Sequence, residues 1–587
     1  MTELYIENML EPMQRWLHGH GITLRAEISY ELPFEISIPG KYVDGIETES
    51  LEFASQLEPY RHLAGPAHLF GKIYSSETGA TMLNYQLGLE FYTQIIYTQF
   101  AAGVSKTVLH GYSCCEGSEA STAWPGHEGM LPLFSERFGP RQPAFRHYKD
   151  WTTMLARSQM ILHQGKPRMD LGLLRLDYNF NNMYMTGGNE KLLYEHQMMR
   201  GHEGVYWQDM GLQDAGYTWD YFAPQILEDE SIICSQKVVA PDGPGYQALI
   251  IYQEMLPLSS ARQILAWAEQ GLPVFLVNNV TERVRLQEFV THGQAASRTP
   301  FNSEEEDALA DVIIQLKNQE SVCVIDRQTD LPEALAARGI RPRAAFSEPN
   351  SGILTCLRED HGTFYLFVYN YMYAKPEPNT VLIEFNAIGK PYRVDCWAGK
   401  TQEIALYNIA EGKTFIPLTL QPGESTFIML DTTRRDEFFA TEADGCEVII
   451  RNGVPLIVVS GSGECRVQFN GGTTYRETAS SPEEIVFDQM HLVIEDWNEG
   501  EKKTIIEERV ASHVTRRFIT KRLLHRSWSA KPRSYLGKTS LPSESRFPES
   551  AFTQDLLNCP ATGVKTKAHC CRLRILAVIR HRSMSMI

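Results

Sequence analysis

Between residues 72 and 112 the chain runs through a β-prone segment, a helical one and a second β-prone one, an order that few architectures accommodate. Lys72-Ile73-Tyr74-Ser75-Ser76 is the first strand, and it delivers Glu77 at its carboxyl end into a Thr78-Gly79-Ala80 turn. Leu83, Leu87, Phe91, Ile95 and Tyr97 to Phe100 then recur at helical spacing. Thr107-Val108-Leu109-His110 is the next strand. Strand, helix and strand in about forty residues make one βαβ unit, whose strands lie parallel because only a long crossover can join them. In barrels of such units the catalytic groups sit where strands end, which makes Glu77 a candidate catalytic carboxylate. Ser75, Ser76, Glu77 and Thr78 suit a helix start equally well. Local sequence therefore leaves an N-cap reading beside the catalytic one.

The flanking segments carry polar groups of a matching kind. Met9, Met13, Trp16 and Leu17 mark one face of a helix over residues 8–20, and a strand is expected over 22–28. A long loop is then expected over 30–52. It holds Asp44, Glu47 and Glu49, three carboxylates in six residues, which suit a hard cation such as calcium or the hydroxyls of a sugar. A solvated acidic loop is the plainer alternative. A second long loop, 111–143, contains Trp124-Pro125-Gly126-His127-Glu128, and ordered loops of that length are usually functional. Aromatic faces stack on the C–H face of sugars while His side chains bond hydroxyls, so His110, Tyr112, Trp124 and His127 are candidate substrate-binding residues. Packing alone would also account for Trp124.

The 587 residues have room for several domains. Residues 1–165 contain the βαβ pattern. Residues 166–346 alternate apolar strands (170–176, 247–252, 273–277) with a helix at 259–270, the signature of a parallel sheet covered on both faces. Residues 347–431 change to short alternating strands and predict a β-sandwich. Residues 441–510 begin in the same way and predict an incomplete β domain. Residues 511–587, rich in Ser, Pro and Arg, are expected to be a disordered basic tail. That tail has fifteen Lys or Arg against three acids, so of the formal charge of −17 the body carries about −29. A polyphosphate or nucleic-acid partner of the body is disfavoured by repulsion, whereas a neutral carbohydrate is not. No run of eighteen apolar residues exists, and the first residues lack a basic start and an apolar stretch, so neither a membrane span nor an export signal is expected in the chain. Eleven cysteines without Cys-x-x-Cys predict reduced thiols, not a zinc site or a disulfide framework. No Gly-x-Ser-x-Gly elbow or His-Glu-x-x-His motif occurs. What remains is carboxylates on strand-end loops, the machinery of glycosidic hydrolysis.

Gly71 to Ala80, Val108-Leu109-His110-Gly111-Tyr112, Trp124-Pro125-Gly126, residues 151–165 and residues 246–258 resemble, in order and spacing, the carboxyl-terminal half of glycoside hydrolase family 106, α-L-rhamnosidase-like enzymes. The resemblance implies a multidomain α/β plus β protein: a partial (β/α)8 barrel, a flavodoxin- or amidotransferase-like α/β domain, then β-sandwich. It also implies an inverting two-carboxylate mechanism on a terminal deoxyhexose, helped by calcium. Glu77 matches the general base, and the Asp44–Glu47–Glu49 cluster matches an acidic loop near the metal. The family's earlier barrel strands and its general acid should precede Asn8. About three of eight strands are thus expected here, from a truncated chain. A catalytically inactive carbohydrate-binding or scaffold remnant is the alternative reading.

Overall fold

The computed structural model describes residues 1–28, 35–50, 53, 57–80, 88–112, 138–139, 143–176, 211–285, 288–300, 302–371, 377–436, 438–451, 453–459, 462–479, 497–499, 503–510, 513–519, 522–524 and 583–586. The chain opens with helix α1 (Thr2–Tyr5), a π-helical turn (Ile6–Leu10) and helix α2 (Glu11–His18). Ile6 and Leu10 are its buried side, whereas Met9, Met13 and Trp16, expected to define its apolar face, are exposed. Four strands follow, β1 (Arg25–Glu27), β2 (Gly45–Glu49), β3 (Ile73–Thr78) and β4 (Lys106–Leu109), all parallel and hydrogen-bonded in chain order. The expected long loop over 30–52 thus contains a strand, and the parallel strands number four instead of three. β2 escapes sequence inspection because Glu47 and Glu49 alternate with Ile46 and Thr48, a period-2 pattern that reads as polar when acids occupy one face. Among the described residues the sheet does not close into a barrel.

Helices α3 (Leu57–Leu69) and α4 (Gly88–Ala101) cover one face of this sheet. α3 is buried from Leu57 to His68, because its far side packs on the strand Trp219–Phe222 of the next unit. Close approach there depends on Gly65: a β-carbon at that position would lie 2.2 Å from the Tyr221 carbonyl oxygen. Gly65→Ala is therefore expected to lower stability by about 1–3 kcal/mol through forced separation of α3 from that strand. A urea unfolding midpoint equal to that of the unaltered chain would show that the helix shifts freely. α4 and helix α5 (Tyr148–Leu162) continue the core outward. Trp151 Nε1 donates to Thr93 Oγ1 at 2.8 Å, Tyr369 of the sandwich donates to Gln94 Oε1 at 2.6 Å, and Tyr97 and Phe100 make edge contacts with Phe367.

The second unit is a five-stranded parallel sheet with spatial order Val322–Ile325, Val274–Val277, Ala248–Ile251, Leu171–Leu174, Trp219–Phe222. Numbered along the chain this is 2-1-3-4-5, the flavodoxin-like order. The ends of the 166–346 stretch behave differently: Lys166–Arg168 pairs with Ile353–Asp360, and Ala344–Phe346 with Asn379–Phe385. Both belong to the sandwich that follows. Its six- and four-stranded sheets enclose Ile353, Leu366, Ile383, Ile416 and Ile428. It includes two short strands, Lys400–Glu403 and Asn408–Ala410, that sequence inspection misses.

Beyond the sandwich, Ala440–Asp444, Gly463–Phe469 and Thr474–Ala479 form one sheet, and Glu447–Arg451 and Val454–Val459 pair beside it around Val448, Ile457, Val467 and Phe469. Within residues 511–587, expected to be a disordered tail, strands are described at three places. His513–Ile519 pairs with Lys503–Val510, Arg522–Leu524 with Trp497–Glu499, and Ser583–Met586 with Val454–Val459. Among the described residues no helix is long and apolar enough to cross a membrane.

Candidate active site

Register decides which side chains share a face of the parallel sheet. Glu27 lies opposite Glu47, Glu47 opposite Ser75, Glu49 opposite Glu77, and Ser75 opposite Lys106. Residues two apart on a strand point the same way, so Arg25, Glu27, Glu47, Glu49, Ser75, Glu77 and Lys106 all occupy one face. The intervening residues, Ile46, Thr48, Tyr74, Ser76 and Thr78, point at the helices. Gln99 of α4 holds them there. Fully buried, its Nε2 lies 2.9 Å from Ser76 Oγ, 3.1 Å from Thr78 Oγ1 and 3.1 Å from the Tyr60 hydroxyl. The two residues that flank Glu77 are thus tied to the helix layer, and Glu77 is turned to the opposite face. It stands within the strand Ile73–Thr78, not at a helix cap.

Glu77 Oε1 lies 2.9 Å from His110 Nδ1. The His110 hydrogen bond draws the Glu77 carboxyl below the ordinary glutamate range against the effect of its partial burial, and the Arg25 charge acts in the same direction. Glu47 is shifted the other way. It is buried, and burial raises its pKa; Arg25, whose Nε donates to Glu47 Oε2 at 2.7 Å, opposes the rise, and the neighbouring Glu27 and Glu77 charges add to it. Glu47 Oε1 has no hydrogen-bond partner among the described residues. Two carboxyls whose surroundings push their proton affinities apart can divide acid and base roles between them. Glu49, buried at the position opposite Glu77, adds negative charge to the same face and contributes to the raised pKa of the buried Tyr60.

The other residues singled out in the sequence fall in different places. Asp44 is not brought to Glu47 and Glu49. It precedes β2, takes hydrogen bonds from the Leu24 N–H at 2.6 Å and Gln14 Nε2 at 3.1 Å, and meets His18 Nε2 at 2.9 Å, so it ties α2 to the sheet. Its role is anchoring, because it sits at the amino end of the strand whose carboxyl end carries the site. Among the described residues no group of three or more His, Cys, Asp or Glu side chains is arranged to hold a metal ion. Glu47, with its unpartnered Oε1, and Glu49 lie on the same face. Tyr112 is 72% exposed, two residues beyond His110. Trp124 and His127 lie outside the described residues. Sequence inspection overlooked Arg25 and Lys106, and gave Glu47 no proton-holding role; the alternation Arg25-Ala26-Glu27 was the available signal for the first.

No family model matches the chain, and no curated protein matches it. Among solved structures, a rhamnosidase from Novosphingobium sp. PP1Y superposes with a TM-score of 0.56 at 16% identity, over 79% of this chain and 45% of that one. The chain therefore spans less than half the length of that enzyme. Gan42B, a GH42 β-galactosidase from G. stearothermophilus, aligns at 12% identity with a TM-score of 0.41 over 73% of this chain and 67% of its own. A β-galactosidase from Rahnella sp. R3 aligns at 10% identity with a TM-score of 0.42 over 73% and 66%. These two looser superpositions decide nothing further. The chain has a glycoside-hydrolase-like fold.

Proposed function

We propose that the charged face of the parallel sheet is a glycoside hydrolase site of the α-L-rhamnosidase type, the class represented by glycoside hydrolase family 106, acting on a terminal deoxyhexose of a polysaccharide or glycosylated small molecule. The observation that carries this reading is the pair Glu77 and Glu47, on one face near the strand ends, with proton affinities displaced in opposite directions. Glu77, ionised, takes a proton from water as the water oxygen attacks the anomeric carbon. Glu47, protonated, gives its proton to the departing glycosidic oxygen. Glu47 is one strand over and two residues back from Glu77, so ladder spacing puts their α-carbons roughly 8 Å apart. Inverting glycosidases hold their carboxyl groups about 6.5–9.5 Å apart to leave room for water, a separation open to two side chains that rise from one face at that α-carbon spacing. His110 orients Glu77, and Arg25 orients Glu47. Tyr112, Trp124 and His127 are assigned to sugar binding.

Hydrolysis of an aryl α-L-rhamnoside, with the first-formed anomer followed by proton NMR, tests the reading. Expected is the inverted anomer, with a bell-shaped rate profile. The acid limb lies below the ordinary glutamate range, since Glu77 must be ionised, and the alkaline limb lies above it, since Glu47 must be protonated. Sugar binding without turnover would instead favour a non-catalytic carbohydrate-binding protein.

The unpartnered Glu47 oxygen beside Glu49 supports a second reading, in which these two residues hold calcium. The readings differ in one measurement. With Glu47 as the acid, the thermal unfolding midpoint is expected to be the same in excess calcium and in chelator. A cation bound only by the native state would add about 2.7 kcal/mol at a hundredfold excess over Kd, and a midpoint raised by calcium would reassign Glu47 and Glu49 as ligands.

A further inference from the structure

The last β unit contains two cysteines that the sheet geometry brings together. Ala440–Asp444 and Gly463–Phe469 run antiparallel with Asp444 opposite Arg466, so the residues after Asp444 pass alongside Glu464 and Cys465. Gly445, in the left-handed conformation at φ 69°, turns the chain there: a β-carbon on it would lie 2.3 Å from the Glu464 carbonyl oxygen and 3.5 Å from Cys465 Cα. Cys446 comes next. Its Sγ lies 3.9 Å from the carbonyl oxygen of Arg466, the residue next to Cys465, and 3.5 Å from that of Asp444. Cys465 is buried in the core of this unit with Val467 and Phe469, and Cys446 packs against that core from its partly exposed edge. The remaining described cysteines, Cys234, Cys323, Cys356 and Cys396, belong to the preceding two units, on other strands and turns.

We infer that Cys446 and Cys465 are a disulfide-forming pair that closes the turn at Gly445 onto the strand Gly463–Phe469. The outer thiol is the one an oxidant meets, and the inner one completes the bond. With glutathione disulfide as oxidant, the Cys446 thiolate attacks one sulfur of the disulfide, forms a mixed disulfide and releases one glutathione thiolate. The Cys465 thiolate then attacks the Cys446 sulfur and displaces the second. Two protein thiols lose their protons and are oxidised, and one glutathione disulfide is reduced to two glutathiones. Burial and the neighbouring Cys465 hold the Cys446 thiol above its usual range, so the bond forms slowly, in an oxidising milieu at mildly alkaline pH, and not as a fast peroxide sensor.

The test uses the full chain incubated with a glutathione redox buffer, alkylated without denaturation by prior heating, digested, and mapped by mass spectrometry. Expected is a cross-linked peptide joining Cys446 to Cys465, lighter by two hydrogens than the sum of its parts. Cys356 and Cys396 should stay alkylatable after unfolding. Cys465→Ser should then trap Cys446 as a glutathione mixed disulfide, and Cys446→Ser should leave Cys465 reduced. Recovery of both thiols in alkylated form from the oxidised, natively folded chain would overturn the inference. So would glutathione retained on Cys446 while Cys465 is intact, since that means the inner sulfur cannot reach the outer one.

Discussion

Glu77→Gln is expected to lower turnover of an aryl α-L-rhamnoside by at least about 10²–10⁴, the contribution of a positioned general base, without changing the unfolding midpoint at neutral pH appreciably. Glutamine keeps the shape and can still meet His110, but it cannot accept the proton of the attacking water. The pH profile separates this from a packing effect. The Glu77 carboxyl lies below the ordinary glutamate range because of His110, so wild-type activity is lost only as pH falls through that lowered value. Residual activity of the glutamine variant should have no such limb. Turnover near the wild-type rate would remove Glu77 from the reaction and return the sheet face to a structural role.

The second large effect is expected in the flavodoxin-like unit. Its switch point, between the carboxyl ends of Leu171–Leu174 and Ala248–Ile251, is where such sheets usually bind ligands. Here it is filled by the chain itself. Glu282, on the strand Thr281–Arg285, accepts from Arg175 at 2.8 Å and Tyr252 at 2.9 Å through Oε2 and meets His292 Nε2 at 2.9 Å through Oε1. Burial alone would raise this carboxyl, but Arg175, His292 and Tyr252 together pull it down to about 2. Arg175→Met leaves the carboxylate buried without its main counter-charge, and a loss of about 3–5 kcal/mol is expected in urea unfolding. The pH dependence gives the sign. A folded-state value below the unfolded one contributes stability that is complete above the unfolded glutamate range, about 4.3. It is lost as pH falls toward 2, and it amounts to roughly 3 kcal/mol. In the variant the folded-state carboxyl rises toward the unfolded value, so the loss of stability on acidification should shrink, and adding Glu282→Gln should recover most of the stability. A loss under about 1 kcal/mol would mean that the pair acts like an exposed one.

Much of the architecture was legible because it rests on short-range patterns. The apolar runs at 247–252 and 273–277 announced buried parallel strands, and the alternation from 352 to 430 announced a sandwich, since these patterns reflect which faces each segment must hide. Glu77 was legible for the same reason: the β-prone run before it and the Gly79 turn after it place it at a strand end whatever lies around. The strand Gly45–Glu49 was not, because its acids made a buried strand look like an exposed loop. Pairing Asp44 with Glu47 and Glu49 as one cluster failed on direction: a strand rises about 3.3 Å per residue, so nearness in sequence put Asp44 at the far end from the site.

The sequence by itself determined the βαβ pattern around Glu77, the buried parallel strands of the second unit and the acidity of the body. Only the tertiary structure decided which carboxylates share a face. Glu27, Glu47, Glu49 and Glu77 come from three strands joined by long crossovers, and Arg175 meets Glu282 across 107 residues of chain. Parallel pairing and sheet register created those neighbourhoods. Burial then separated one acid from water and left the other beside a histidine, and no local pattern encodes either the register or the burial.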